Sequence, residues 1–124
     1  MIQQDYILRE VQQLARVLAQ VLFHKRAGQT DEAQEALAEG LGRVSGTEAA
    51  ELLDMPREVL VARCSADGAL AGEKAVAVAD LLREEGSAPA RERALWLYEA
   101  ALASGAAVPF DIHERIASVR PPNG

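Results

Sequence analysis

Apolar residues recur along this chain at helical spacing, and the longest such pattern covers residues 2–27. On a wheel of about 100° per residue, its apolar positions span roughly 200°, while Gln, Arg and His fall largely on the opposite side. These apolar positions are Ile7, Leu8, Val11, Leu14, Ala15, Val17, Leu18, Ala19, Val21 and Leu22. A surface helix normally buries a stripe of only about 100°, so we expect several neighbours around this helix or an interface with another chain.

A second amphipathic pattern follows at once and predicts a helical hairpin over residues 2–45. Gly28 supplies a left-handed stop for the first helix, and we expect Thr30 to cap the second. Gly40 lies in the middle of the second pattern, where glycine costs roughly 1 kcal/mol relative to alanine. We therefore expect Gly40 to allow a close approach to the first helix.

The pattern of apolar and turn-forming residues in the rest of the chain predicts shorter helices and a second hairpin. Helices are expected near residues 48–54, 57–64, 72–85, 89–104 and 111–119. Thr47 is expected to cap the first of these, and residues 65–72 form a Gly-rich, turn-like connection. Gly86 and Pro89 separate the two helices of the second hairpin, as expected for a helix end followed by a helix start.

Composition favours helices throughout. Hydrophobic residues make up 49% of the 124 residues, but there are only one Trp, two Tyr and two Phe, so Leu, Val, Ile and Ala must build the core. Alternating runs of β-branched and aromatic residues are absent. We predict an all-α protein with no sheet, a single domain over residues 1–120 and a disordered tail over residues 121–124.

The second helix of each predicted hairpin repeats one pattern: a small residue, a large residue and another small residue. The pattern consists of Ala33, Leu37 and Gly40 in one hairpin and of Ala94, Tyr98 and Ala101 in the other. It resembles helix B of a tetratricopeptide repeat, whose consensus is similar to Asp31-Glu32-Ala33 and to Tyr98-Glu99-Ala100-Ala101-Leu102. This resemblance implies tetratricopeptide-like helical hairpins and a role in binding protein.

The first residues carry a second resemblance. They read Met1-Ile2-Gln3-Gln4-Asp5-Tyr6-Ile7-Leu8-Arg9, followed by Leu14, Leu18 and Phe23-His24-Lys25. They are similar to a bacterial family of small, uncharacterised helical proteins that open with Gln-Asp-Tyr-Ile-x-Arg. The resemblance implies a bacterial cytoplasmic protein and brings no assigned activity.

Charge and cysteine content narrow the possible partners and the compartment. The net charge is −6, whereas a nucleic-acid-binding surface needs clustered basic residues, so we expect no nucleic-acid partner. Charged residues interrupt the first apolar stretch, unlike a signal peptide or membrane span, so we expect no membrane association. Cys64 is the single cysteine, which fits a reducing compartment; we expect a cytoplasmic location.

Residues that usually carry chemistry are few. One cysteine and two separate histidines cannot assemble a local zinc site, and no phosphate-binding glycine loop follows a strand. We interpret His113 as solvated, Cys64 as a small buried hydrophobe, and the acidic group Asp80, Glu84 and Glu85 as a solvated helix face. We expect no catalytic, metal-binding or cofactor-binding residues and no cofactor.

The sequence therefore favours a non-enzymatic helical protein–protein interaction module that forms a homodimer through the first helix, the face around Trp96, or both. The interaction candidates are Tyr6, Leu8, Arg9, Arg16 and Trp96. Trp96 points away from the apolar face of its helix, either exposed as an anchor or covered by the last helix through Phe110, Ile112 and Ile116.

Two alternatives remain open. A small-molecule or lipid-binding helical bundle would need a cavity between the first helix and the second hairpin. An enzyme would need His113 to converge with Asp80 or Glu84 in a cleft.

Overall fold

The computed structural model describes residues 2–46 and 48–121, with side chains described from residue 5 onward. The described residues contain seven helices and two short strands. In chain order these are α1 Ile2–Arg26, α2 Thr30–Ser45, α3 Ala49–Leu53, α4 Arg57–Arg63, β1 Ser65–Ala66, β2 Ala69–Leu70, α5 Gly72–Glu85, α6 Ala88–Ala103 and α7 Ile112–Val119. The protein is predominantly helical, and the prediction of an all-α class is confirmed at that level.

The prediction of no sheet is wrong in one place, because β1 and β2 form an antiparallel ladder that pairs Ser65 with Leu70 and Ala66 with Ala69. Asp67 and Gly68 connect the two strands with φ angles of 53° and 77°. Two consecutive positive φ angles produce the tight hairpin turn that Asp-Gly favours. The Gly-rich connection is thus a paired hairpin.

The first hairpin, α1 with α2, has the expected close contact. Gly28 ends α1 at a φ of 74°. Thr30 is not the cap, because α2 already begins there and Gln29 occupies the cap position without a side-chain hydrogen bond. Gly40 is buried against α1, and a Cβ atom built on it would lie 2.7 Å from Cγ1 of Val17. The expected role of Gly40 is confirmed.

Helix α5 lies at the centre of the molecule and contacts α1, α2 and α6. Its buried residues occupy most of its circumference: Gly72, Ala75, Val76, Val78, Ala79, Asp80, Leu81 and Leu82. Gly86 ends it in the left-handed conformation, and Ser87 then caps α6 by accepting a hydrogen bond from the Ala90 backbone N–H at 3.3 Å. The two small–large–small sets, which are Ala33, Leu37 and Gly40 on α2 and Ala94, Tyr98 and Ala101 on α6, are buried in the core.

Two expectations fall on residues outside those described. Thr47, the expected cap of α3, is one of them, and the first residue of that helix is Ala49. Residues 122–124, which belong to the expected tail, also lie outside the described residues.

Candidate interaction surface

Helix α1 buries only one side of its wide apolar arc. Leu14, Val17 and Val21 face the core and are almost fully buried. The opposite flank of the arc faces outward: Leu8 is 50% exposed, Ala15 and Ala19 are exposed, and Val11, Leu18 and Leu22 are half-buried. We call this flank the α1 seam, consisting of Leu8, Val11, Ala15, Leu18, Ala19 and Leu22.

The spacing within the α1 seam is that of a helix-pairing surface. Leu8, Val11, Ala15, Leu18 and Leu22 alternate steps of three and four residues, which is the a/d repeat of helices that pack side by side. The sequence pattern places these residues in one arc with the core positions. Packing against α2 and α5 covers the core positions and leaves the α1 seam outside.

Two ion pairs join α1 to α5. Lys74 Nζ lies 3.1 Å from Glu10 Oε1, and Lys25 Nζ lies 2.9 Å from Glu84 Oε1. Lys25 also donates a hydrogen bond to the backbone oxygen of Glu84 at 2.8 Å. These ion pairs add to the packing of the buried residues Leu14, Val17 and Val21, which leaves the α1 seam turned outward.

The interaction candidates on α1 lie on two different sides of the helix. Leu8 belongs to the α1 seam and also lines a groove with Ala69 and Leu70 of β2. Tyr6 and Arg9 line an open groove against α2. Arg16 lines another recess on the α2 side, together with residues of α2. The structure therefore does not bring these four side chains into one surface.

Trp96 lies on α6, in a separate groove of about 360 Å³ between α6 and α7 that Leu95 and Val119 also line. The guanidinium carbon of Arg93 is 4.9 Å from the centroid of its ring, a cation–π distance. Trp96 is thus half-buried, and both interpretations of it are partly right.

The cover over Trp96 comes from the end of α7. Val119 and Pro121 line the Trp96 groove, whereas Ile112 and Ile116 are buried in the core and do not line it. Phe110 is 102% exposed and does not take part in the expected cover.

A buried polar network joins α5, α6 and α7. The Tyr98 hydroxyl donates a hydrogen bond to Asp80 Oδ1, and Arg115 Nη1 donates to Asp80 Oδ2 at 2.9 Å. Arg115 Nε lies 3.0 Å from Asp111 Oδ1, within ion-pair distance, but its N–H is not aligned for a hydrogen bond. Asp80 is therefore a buried, paired carboxylate, and its expected place on a solvated face is wrong.

The electrostatics of this network follow from its burial. Burial, together with the hydrogen bond to Asp80 and its negative charge, raises the pKa of Tyr98 well above its ordinary value. Burial alone would lower the pKa of Arg115, but the charges of Asp80 and Asp111 outweigh it and raise that pKa. The network holds α7 against α5 and α6 by charge-assisted hydrogen bonds.

The residues considered for chemistry do not converge. His113 is exposed on α7, and Glu84 pairs with Lys25. Asp80 is hydrogen-bonded within the buried network. Among the described residues, no three His, Cys, Asp or Glu side chains are grouped so as to hold a metal ion.

Cys64 is fully buried at the end of α4. Burial raises its pKa to about 12, from an ordinary value of 9.0, and the nearby charge of Lys74 only partly opposes this. The nucleophilic form of cysteine is the thiolate. At neutral pH this thiol stays protonated and acts as a small hydrophobic side chain.

The alternative of a ligand-binding bundle requires a cavity between α1 and the second hairpin, which is α5 with α6. The recess lined by Glu10, Leu14, Val17 and Lys74, between α1, α2 and α5, has a volume of about 30 Å³. That space suits one or two water molecules. This recess is too small for a small molecule or a lipid, and the larger groove of about 430 Å³ between α1 and residues 66–73 is open to solvent.

No helix within residues 2–46 and 48–121 is long and apolar enough to cross a membrane. Comparisons with protein-family models, curated proteins and solved structures give no match for this chain. The resemblances to a bacterial family and to tetratricopeptide repeats therefore stay predictions.

Proposed function

We propose that this protein is a non-enzymatic helical module that binds another protein chain through the α1 seam. The observation that carries the proposal is the row of exposed and half-buried apolar side chains along one flank of a 25-residue helix. Contiguous apolar surface on a folded chain usually marks an interaction site. Burying apolar area contributes roughly 25 cal/mol per Å², so covering the α1 seam would favour association.

A helix is the partner element that fits this surface best. The a/d repeat of the α1 seam offers knobs and holes at the spacing with which a second helix interdigitates. Ala15 and Ala19 are short, so a partner helix can approach α1 closely near its middle. Leu8 and Leu22 stand at either end of the α1 seam, where they can insert beside that helix.

Architecture, source and location form part of the same proposal. Two helical hairpins with buried small–large–small sets support a tetratricopeptide-like arrangement, in which helical faces are typical protein-binding surfaces. The opening residues support a bacterial source, and the single cysteine supports a cytoplasmic location.

Photo-crosslinking at matched positions tests the proposal. A benzophenone amino acid is placed at Ala19 in the α1 seam or at Gln20, an exposed polar position on another side of the same helix. Irradiation in an extract of the source cells should give a discrete protein adduct from position 19, competed by excess unlabelled chain.

Position 20 should give no such adduct. Equal adducts from both positions, or none from position 19, would show that the α1 seam is not the binding surface.

A further inference from the structure

We propose that the partner of the α1 seam is a second copy of this chain, docked antiparallel so that Leu8 of each copy lies opposite Leu22 of the other. This inference rests on the proposed function and adds the identity and direction of the partner. Its basis is the self-complementary arrangement of apolar and charged residues along α1.

Five of the six residues of the α1 seam are arranged symmetrically about Ala15. Leu8 and Leu22 lie seven residues to either side of it, and Val11 and Ala19 lie four residues to either side. A two-fold symmetric interface requires that if residue i faces residue j, then j faces i. An antiparallel pair of α1 helices with Ala15 on the axis satisfies this for Leu8 with Leu22 and for Val11 with Ala19, while Leu18 packs beside Gln12 of the other copy.

Side-chain size agrees with this position of the axis. Ala15 and Ala19 are the smallest residues of the α1 seam and lie at or near its centre, where two helices would be closest. Helix axes approach to about 8 Å when the side chains between them are small.

Charge selects the antiparallel direction. Asp5 and Arg26 are exposed, flank the α1 seam on the side of Ala19, and form no ion pair with another described residue. In the antiparallel pair with Ala15 on the axis, Asp5 of one copy lies opposite Lys25 of the other, one residue from Arg26, so that unlike charges meet at both ends. In a parallel pair, each would face its own like charge, and the two helix dipoles would also align unfavourably.

The size of the interface indicates a weak dimer. Helix α1 has 25 residues and is therefore about 38 Å long. One helix face of this length buries on the order of 800–1,000 Å² in total, which is below the range of stable protein complexes. We expect a dissociation constant in the micromolar range.

Crosslinking with two introduced cysteines tests both the partner and the direction. The variant carries Asp5→Cys and Arg26→Cys, which lie about 32 Å apart along one helix, too far for a short bis-maleimide to join within one chain. The native Cys64 is buried, so the parent chain serves as the unlinked control. We expect covalent dimers in which mapping finds position 5 linked to position 26.

A second variant, with Arg9→Cys and Gln20→Cys on the exposed polar side of α1, is the matched control and should crosslink far less. Links of 5 to 5 and 26 to 26 would overturn the antiparallel direction. Dimer yields no higher than in the control would overturn the inference altogether. In that case, a photo-adduct of position 19 with a different protein would still support the proposed function, so the two failures are distinguishable.

The charge pair has its own test. Asp5→Lys or Arg26→Glu alone turns two attractions into two repulsions and should raise the dissociation constant roughly 3–10-fold. Combining both substitutions exchanges the charges and should restore the dissociation constant to within about twofold of the parent value. A combined variant that is weaker than either single one would contradict the pairing.

Discussion

Replacing Gly40 with alanine should destabilise the protein, although alanine is the better helix former. The added Cβ would lie 2.7 Å from Cγ1 of Val17 and 3.4 Å from Cδ1 of Leu81, whereas ordinary carbon contacts begin near 3.4 Å. Val17 is β-branched and holds one preferred rotamer in a helix, so its methyl group cannot swing aside. Helices α1 and α2 must therefore separate slightly.

The size of the effect is the difference between two terms. Removing glycine from a helix interior contributes about 0.5–1 kcal/mol of stability. Overpacking a core contact typically costs about 1–3 kcal/mol. We expect a net loss of about 1 kcal/mol in the free energy of unfolding.

Urea denaturation followed by circular dichroism measures this loss, and a double-mutant cycle assigns its cause. Val17→Ala removes the methyl group that clashes, so adding Gly40→Ala to it should be at least about 1 kcal/mol less costly than in the parent chain. Ala38→Gly, at an exposed position of α2, gives the helix-propensity term alone. If Gly40→Ala stabilises the protein by as much as Ala38→Gly destabilises it, the close contact is absent.

Three further outcomes are expected. Arg115→Met should cost roughly 2–4 kcal/mol in urea denaturation, because it leaves the buried Asp80 with Tyr98 alone; an unchanged midpoint would show that the network adds no stability. The pKa of Cys64 is about 12 in the folded protein and 9.0 ordinarily, so its contribution to the free energy of unfolding is full below pH 9 and is lost as the pH rises towards 12. Cys64→Ala should therefore lose less stability between pH 9 and pH 12, and an equal loss in both proteins would contradict this. Gly68→Ala should cost about 1 kcal/mol at its φ of 77°, and a neutral result would argue against the hairpin turn.

Local periodicity predicts the helices and one important contact. The 3.6-residue pattern yields α1, α2, α5 and α6 to within a few residues, and Gly40 in mid-helix indicates close packing because glycine is costly there. The β1–β2 hairpin was predictable from Asp67-Gly68, but a search for β-branched runs overlooks two strands of two residues each.

The features that the sequence does not predict depend on how the helices pack against one another. The positions of α2 and α5 together determine which flank of the apolar arc of α1 is buried. Asp80 and Arg115 are 35 residues apart, and no local pattern signals their pairing. Tyr6, Arg9 and Arg16 look like neighbours of Leu8 on a broad surface, yet they face α2 instead of the α1 seam.

Sedimentation equilibrium of three matched proteins tests the role of the α1 seam most directly. The parent chain, Ala15→Glu and Gln20→Glu are compared from low micromolar to several hundred micromolar concentration; both variants add one negative charge to α1, but only the first places it in the α1 seam. We predict a monomer–dimer equilibrium for the parent and for Gln20→Glu, and a dissociation constant about tenfold or more higher for Ala15→Glu. A monomeric parent, or equal weakening by both substitutions, would contradict self-association through the α1 seam.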